Sequence, residues 1–286
     1  MAIPGLAPSS LDWRLQAGIG VLTVAVAVLL LVRYRARPFI FALGVWLLEV
    51  GLLIVGRGLT RTFVNPGHVA WLQSHVVIFL PAAGGVAVLT WRGWWKAAGF
   101  TPPSEWRQLR ILWLVGLWLI LPALSLSRGV HVRATTIIPL TGYVVLPTAT
   151  EELFHRGIIL RATIGYGAIP AALISAIFFG LSHVNNFFAS SQLNPYAVLE
   201  QIWLATLIGV FLAAVRLRMN AIWVTMAAHA TWDLLPLLVY GLYSLTHRPT
   251  VGGFWFATGY AAFFAAIGLL LLRRARPSII PTELKS

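Results

Sequence analysis

The sequence predicts an all-α bundle of about eight to nine membrane-spanning helices, and three observations predict it. Hydrophobic residues make up 59% of the 286 and charged ones only 10%, against roughly 25% charged in an average soluble chain. Mean hydropathy is +0.83. Apolar stretches close to the ~20 residues that cross a hydrocarbon core recur along the whole chain, divided by arginine, glycine and proline. A soluble chain of this length exposes far more charge, which excludes that class. The formal charge of +13 suits cytoplasmic loops facing lipid headgroups. No basic cluster is interleaved with exposed aromatics, so the bilayer is expected as a partner and nucleic acid is not. The absence of cysteine removes disulfides, thiolate metal sites and a cysteine nucleophile.

Each element has its own justification. The first span, 17–32, follows Asp12 and Arg14 without a small-residue cleavage signature; it reads as a retained span and not a signal peptide. It stops at Arg33-Tyr34-Arg35-Ala36-Arg37-Pro38. The second, 39–55, ends at Gly56-Arg57-Gly58, and the third covers 69–90. A Trp-rich connection follows, in which Thr101-Pro102-Pro103-Ser104-Glu105 reads as a loop ending at a helix N-cap. The fourth span is 111–127. The fifth is 136–164, with Pro139 and Pro147 expected to bend it. After the turn Gly165-Tyr166-Gly167 comes the sixth, 168–183, and a polar loop over 185–195. The seventh, 196–215, is broken by Arg216-Leu217-Arg218. The eighth is 220–243, and the ninth, 254–272, precedes the basic tail Arg273-Arg274-Ala275-Arg276. Most tryptophans flank spans and read as interface anchors. No internal repeat and no separate soluble domain is evident. The arginines and lysines concentrate in the odd-numbered connections, from Arg33, Arg35 and Arg37 to Arg216 and Arg218 and the tail. That bias places the N-terminus outside and the C-terminus in the cytoplasm.

The chemistry-bearing stretch is Thr148-Ala149-Thr150-Glu151-Glu152-Leu153-Phe154-His155-Arg156-Gly157. A charge inside a span costs several kcal/mol even by lenient estimates and so usually has a partner and a task. Glu152 and Arg156 are four apart on one helical face, whereas Glu151 points about 100° away. The economical division is an internal Glu152–Arg156 pair that leaves Glu151 free. His183, His229 and Asp233 are the other ionisable groups in apolar helices downstream. At 1.5 Å per residue, Glu151 and His183 lie ~21 and ~24 Å from the turn between their helices, and His229 and Asp233 ~14 and ~20 Å from the start of their own. Shared depth permits a common site on three helices. Glu49 and His75, single polar groups in early spans, read as structural. Glu200 opens a helix near the interface, where a carboxylate is ordinary. His155 shares a face with Glu151 and stays open as a member of the site.

Glu151-Glu152-x-x-x-Arg156, then Phe179-x-x-x-His183, then His229-x-x-x-Asp233 resembles the CPBP family of intramembrane endopeptidases. That family includes CAAX prenyl proteases, bacteriocin-processing enzymes and Abi proteins. The resemblance covers about 139–243; the first four spans are merely compatible with it. It implies Glu151 as the base and His183 as its partner in activating water, with His229 and Asp233 at the oxyanion end and Glu152 and Arg156 in support. Asp233 departs from the asparagine form of the last motif. An ionised aspartate repels an oxyanion, so Asp233 is expected to orient and charge His229 instead. The same reading divides the chain into N-terminal helices (1–135), a catalytic core (136–245) and a last helix with a basic tail (246–286). A peptide or protein substrate at the membrane is expected, with no cofactor, in the plasma membrane of a prokaryotic cell. The alternatives are a zinc site built from Glu151, His183 and His229, a non-enzymatic immunity or scaffold protein, and a transporter. No His-Glu-x-x-His pattern supports zinc, and no paired broken helices in related halves support transport.

Overall fold

Asp12 starts the first helix by accepting the N–H of Arg14 on its carboxylate, and α1 (Trp13–Arg33) then runs back along α2 (Pro38–Phe63). Their backbones touch closely: a Cβ on Gly51 would meet Val24 at 2.9 Å, the small-residue contact that lets apolar helices associate without a hydrophobic drive. The computed structural model describes residues 12–63, 70–103, 106–188, 194–240 and 248–273. Among these the only regular secondary structure is helical, with no strand, in an all-α polytopic membrane bundle. After α3 (Ala70–Arg92), a 3₁₀ turn (Trp106–Ile111) leads into α4 (Leu112–Ser125). Next comes α5 (Ala134–Glu152), followed by a π-helix (Leu153–Ile159) and the short α6 (Leu160–Thr163). The chain closes with α7 (Ala168–Ser182), α8 (Pro195–Met219), α9 (Ile222–Tyr240) and α10 (Val251–Arg273).

Every expected span coincides with a helix. Among the described residues, seven helical stretches are long and apolar enough to cross a membrane, and Val77–Arg92 is a shorter apolar one. The fifth span falls outside that group because threonines, two prolines and two glutamates dilute it. Two particulars differ from the reading of the sequence. Besides Pro139 and Pro147, which both lie inside α5, the fifth span has a change of hydrogen-bond ladder after Glu152. Helix α8 is not broken at Arg216-Leu217-Arg218 but continues to Met219 and ends on Asn220 in the left-handed conformation. Arg216 is buried there and donates to the carbonyls of Ala97 and Ala98. This works because Gly99, at φ +92, has no Cβ; one added there would sit 2.3 Å from the guanidinium. His75's side chain, Ser104, Glu105, the loop residues 189–193, the end of the eighth span at 241–243 and the tail from Arg274 lie outside the described residues.

Two apolar clusters carry the bundle. One joins α1, α2 and α3 to the π-helix and α7 through Phe41, Leu89, Phe154, Ile158 and Phe178. The other joins α4, α8, α9 and α10 through Trp118, Phe211, Met219 and Phe264. Trp118 stacks flat on Trp232 at 4.6 Å, fixing the rotation of α9 next to Asp233. A third cluster gathers Ala97, Leu160, Ile164, Ala171, Leu217 and Leu271 at one end of the bundle. The odd-numbered connections therefore lie together, as alternating spans require. Reporter fusions at the α8–α9 junction and at the C-terminal tail should both read cytoplasmic. Opposite readings at the two sites would break the span count, and two external ones would reverse the orientation.

Candidate active site

The site is built where the helix changes type. Glu151 and Glu152 close α5, and the π-helix over Leu153–Ile159 ends with the Leu160 N–H donating to the His155 carbonyl. Such wide turns are rare and concentrate at functional sites, because they rotate the later part of a helix relative to the earlier part. Ser175 on α7 donates to the same His155 carbonyl at 2.8 Å and ties the turn to its neighbour.

The inner layer holds charge away from water. Arg156 Nη1 lies 2.9 Å from Glu152 Oε1, and both side chains are 0% exposed. The approach is an ion pair off the hydrogen-bonding direction: among the described residues, the guanidinium nitrogens of Arg156 have no hydrogen-bond partner. Its second support is the face of Phe179, 4.1 Å from the guanidinium carbon, a desolvated cation–π contact of about 2 kcal/mol. Phe179 also meets the edges of His155, His183 and His229 at 5.2–5.4 Å between centroids. One aromatic ring thus spaces three imidazoles and one guanidinium, and the motif Phe179-x-x-x-His183 has a packing reason for its first member.

The outer layer faces an opening. His229 donates from Nδ1 to Glu152 Oε1 at 3.0 Å. Its Nε2 lies 3.8 Å from Glu151 Oε2 and 3.5 Å from Asp233 Oδ2. The exposures separate the carboxylates: 0% for Glu152, 30% for Glu151 and 40% for Asp233. Of the adjacent glutamates, Glu152 is therefore spent on holding the site and Glu151 is presented. His183, at the end of α7, pairs its Nδ1 with the Phe179 carbonyl at 3.0 Å. A carbonyl only accepts, so Nδ1 carries the proton, and a neutral His183 keeps an acceptor at Nε2. It lies within electrostatic reach of His229 and Asp233. The imidazole at ion-pair distance from Glu151 is that of His229.

The hydroxyls around the site are already engaged. Thr148 and Thr150 donate to the carbonyls of Val144 and Leu146, and Thr225 to that of Ile222. Ser182 donates to Glu49 Oε2 at 2.9 Å and also approaches the Phe178 carbonyl. With no cysteine in the chain, each of these potential nucleophiles has its proton turned into the protein. Among the described residues, no group of three or more His, Asp or Glu side chains is arranged to hold a metal ion.

Glu49 and His155 go beyond the reading of the sequence. Glu49, on α2, is not a single polar group but lies 3.3 Å from His155 Nε2, both buried. His155 is buried behind Glu151 and donates from Nδ1 to the Glu151 backbone carbonyl at 2.8 Å. The signal for Glu49 was its charge inside a span; the missing part was a partner more than a hundred positions away. Residues 133–235 match the family model described as type II CAAX prenyl endopeptidase, Rce1-like. The matched stretch contains Glu151, Glu152, Arg156, His183, His229 and Asp233, bears out the family resemblance drawn from the three motifs, and leaves out Glu49. None of the curated proteins matches the chain.

Proposed function

We propose, starting from this CAAX-endopeptidase-like segment inside a multi-pass membrane protein, that the chain is an intramembrane endopeptidase. Its substrates are peptide bonds of membrane-associated peptides or proteins, in the plasma membrane of a prokaryotic cell. One observation carries the proposal: a presented carboxylate, Glu151, lies 3.8 Å from an imidazole, His229, that is braced on the inner side by Glu152, and the acceptor-bearing His183 packs on the same Phe179 ring as His229. Glu151 takes a proton from water as the water oxygen attacks the carbonyl carbon; the proton then passes to the amine as the C–N bond breaks. His183 Nε2 accepts the water's second hydrogen bond and orients it. His229 meets the developing oxyanion with Nε2–H. Donation from both of its nitrogens requires the imidazolium, and Glu152 and Asp233 supply the counter-charge. That is the role we assign to Asp233, in place of a direct donor. The 136–245 segment is then the catalytic core.

The test is cleavage in proteoliposomes, with prenylated and unprenylated C-terminal peptides and leader-type peptides in parallel. Cleavage of any class by the wild type and loss with Glu151→Gln supports the reading; processing that continues in cells lacking a functional Glu151 favours a scaffold. We further expect purified protein to contain no stoichiometric zinc and to keep its activity through prolonged chelation. Activity that disappears with chelator and returns with one particular metal contradicts direct activation of water by Glu151 and His183.

A further inference from the structure

We propose that Glu49, on α2 and outside the family-matched segment, is a positioning residue that sets the direction of Glu151 through His155. This rests on the endopeptidase reading for its kinetic part and stands without it for its structural part.

The chain of contacts is continuous and buried. Glu49 Oε2 accepts the Ser182 hydroxyl at 2.9 Å and lies 3.3 Å from His155 Nε2; Ser182 Oγ is itself 3.1 Å from Nε2. Glu49 and His155 are 1% and 0% exposed, so water does not replace either contact. The other imidazole nitrogen, Nδ1, donates to the Glu151 carbonyl at 2.8 Å. Because a carbonyl cannot donate, that bond fixes the Nδ1–H tautomer, and the outer end of the ring then needs a partner at Nε2. That partner must be a donor, and Glu49 supplies it as the carboxylic acid, with Oε2–H directed at Nε2 while Oε2 accepts the Ser182 hydroxyl. Carbonyls that enter a π-turn lose the regular i→i+4 geometry. The Glu151 carbonyl sits at that entry, and His155 is the side chain that satisfies it. The direction of the Glu151 side chain follows from the backbone so held.

The bracing reaches from α2 and α7 to the last turn of α5, three elements that no local sequence signal connects. An ionisable group in a span without such a task would be costly to retain. Glu49 touches neither water nor peptide in this scheme, so it acts on turnover only by placing Glu151.

The experiment compares Glu49→Ala, Glu49→Gln and Ser182→Ala with the wild type. Each is reconstituted at equal folded yield and read by steady-state kinetics and by hydrogen exchange of the 153–160 amides. A misplacement of about 1 Å at a reacting group costs on the order of 10²-fold in rate. Glu49→Ala should therefore lower kcat about 10–100-fold with KM within about twofold, and should speed exchange across the π-turn. The glutamine NH2 in the Oε2 position can donate to Nε2 and to Ser182 Oγ, whose proton then turns to the Phe178 carbonyl, so Glu49→Gln should restore both readouts to near wild type. Ser182→Ala keeps the glutamate and should give a smaller defect of the same kind, which keeps the test open if Glu49→Ala does not fold. Wild-type exchange across the π-turn in both Glu49→Ala and Ser182→Ala overturns the proposal. So does a Glu49→Gln protein as impaired as Glu49→Ala, since charge and not placement would then be the function. A wild type that cleaves no peptide ends the endopeptidase reading instead, and the exchange result still decides the bracing.

Discussion

Glu151→Gln should fold, bind peptide and turn over about 10²–10⁴-fold more slowly, because the amide keeps the shape of the side chain and removes the base. The expectation is confined to turnover because Glu151 is 30% exposed and the fold's buried ion pair is made by its neighbour. His183→Ala should show a defect of similar size. If the two groups act on one water, the double variant should be little worse than either single one. Strict additivity in the logarithm of the rate means that they serve separate steps. A Glu151→Gln enzyme running at the wild-type rate removes the general base from the mechanism.

The inner pair should behave in the opposite way, failing in stability before catalysis. Glu152→Gln leaves Arg156 charged and fully buried without its nearest carboxylate; Arg156→Leu leaves the buried Glu152 without its guanidinium. Breaking one side of a buried pair costs ~3–5 kcal/mol in soluble proteins, a large part of a typical folding free energy. Both single variants should give low yields and lowered unfolding midpoints in detergent. Removing both charges together should recover part of the loss, because no buried charge then lacks a partner. Glu152→Gln also removes the counter-charge beside His229, so the recovered double variant should be folded yet slow. Stable, fully active single variants would show that the 2.9 Å contact is incidental.

Much of this was legible in the residues. The spans follow from runs of apolar side chains punctuated by arginine, and the Glu152–Arg156 pair from a spacing of four on a helix. Depth allows Glu151, His229 and Asp233 to meet but does not fix the rotation that brings them together. What escaped is what depends on rotation and on long-range contact. Residue counting assumes about 3.6 residues per turn, and the π-helix after Glu152 breaks that assumption inside the motif itself. Arg216 looked like a loop residue because its charge suggests water; its carbonyl partners come from Ala97 and Ala98, far away in the chain. Glu49 looked solitary because its imidazole lies on another helix, and which of two histidines would stand nearest Glu151 could not be read from depth.

The claim at the centre of this account is that water, activated by a carboxylate, attacks the peptide carbon without a covalent intermediate. The engaged hydroxyls of Thr148, Thr150, Ser182 and Thr225 point the same way. The direct test is cleavage in ¹⁸O-labelled water with hydroxylamine present, read by mass spectrometry of both products and of the intact protein. The account predicts one ¹⁸O in the new carboxylate, no hydroxamate and no acylated chain at any time. Hydroxamate forming at the expense of the acid, or an acyl group caught on a serine or threonine, would contradict it.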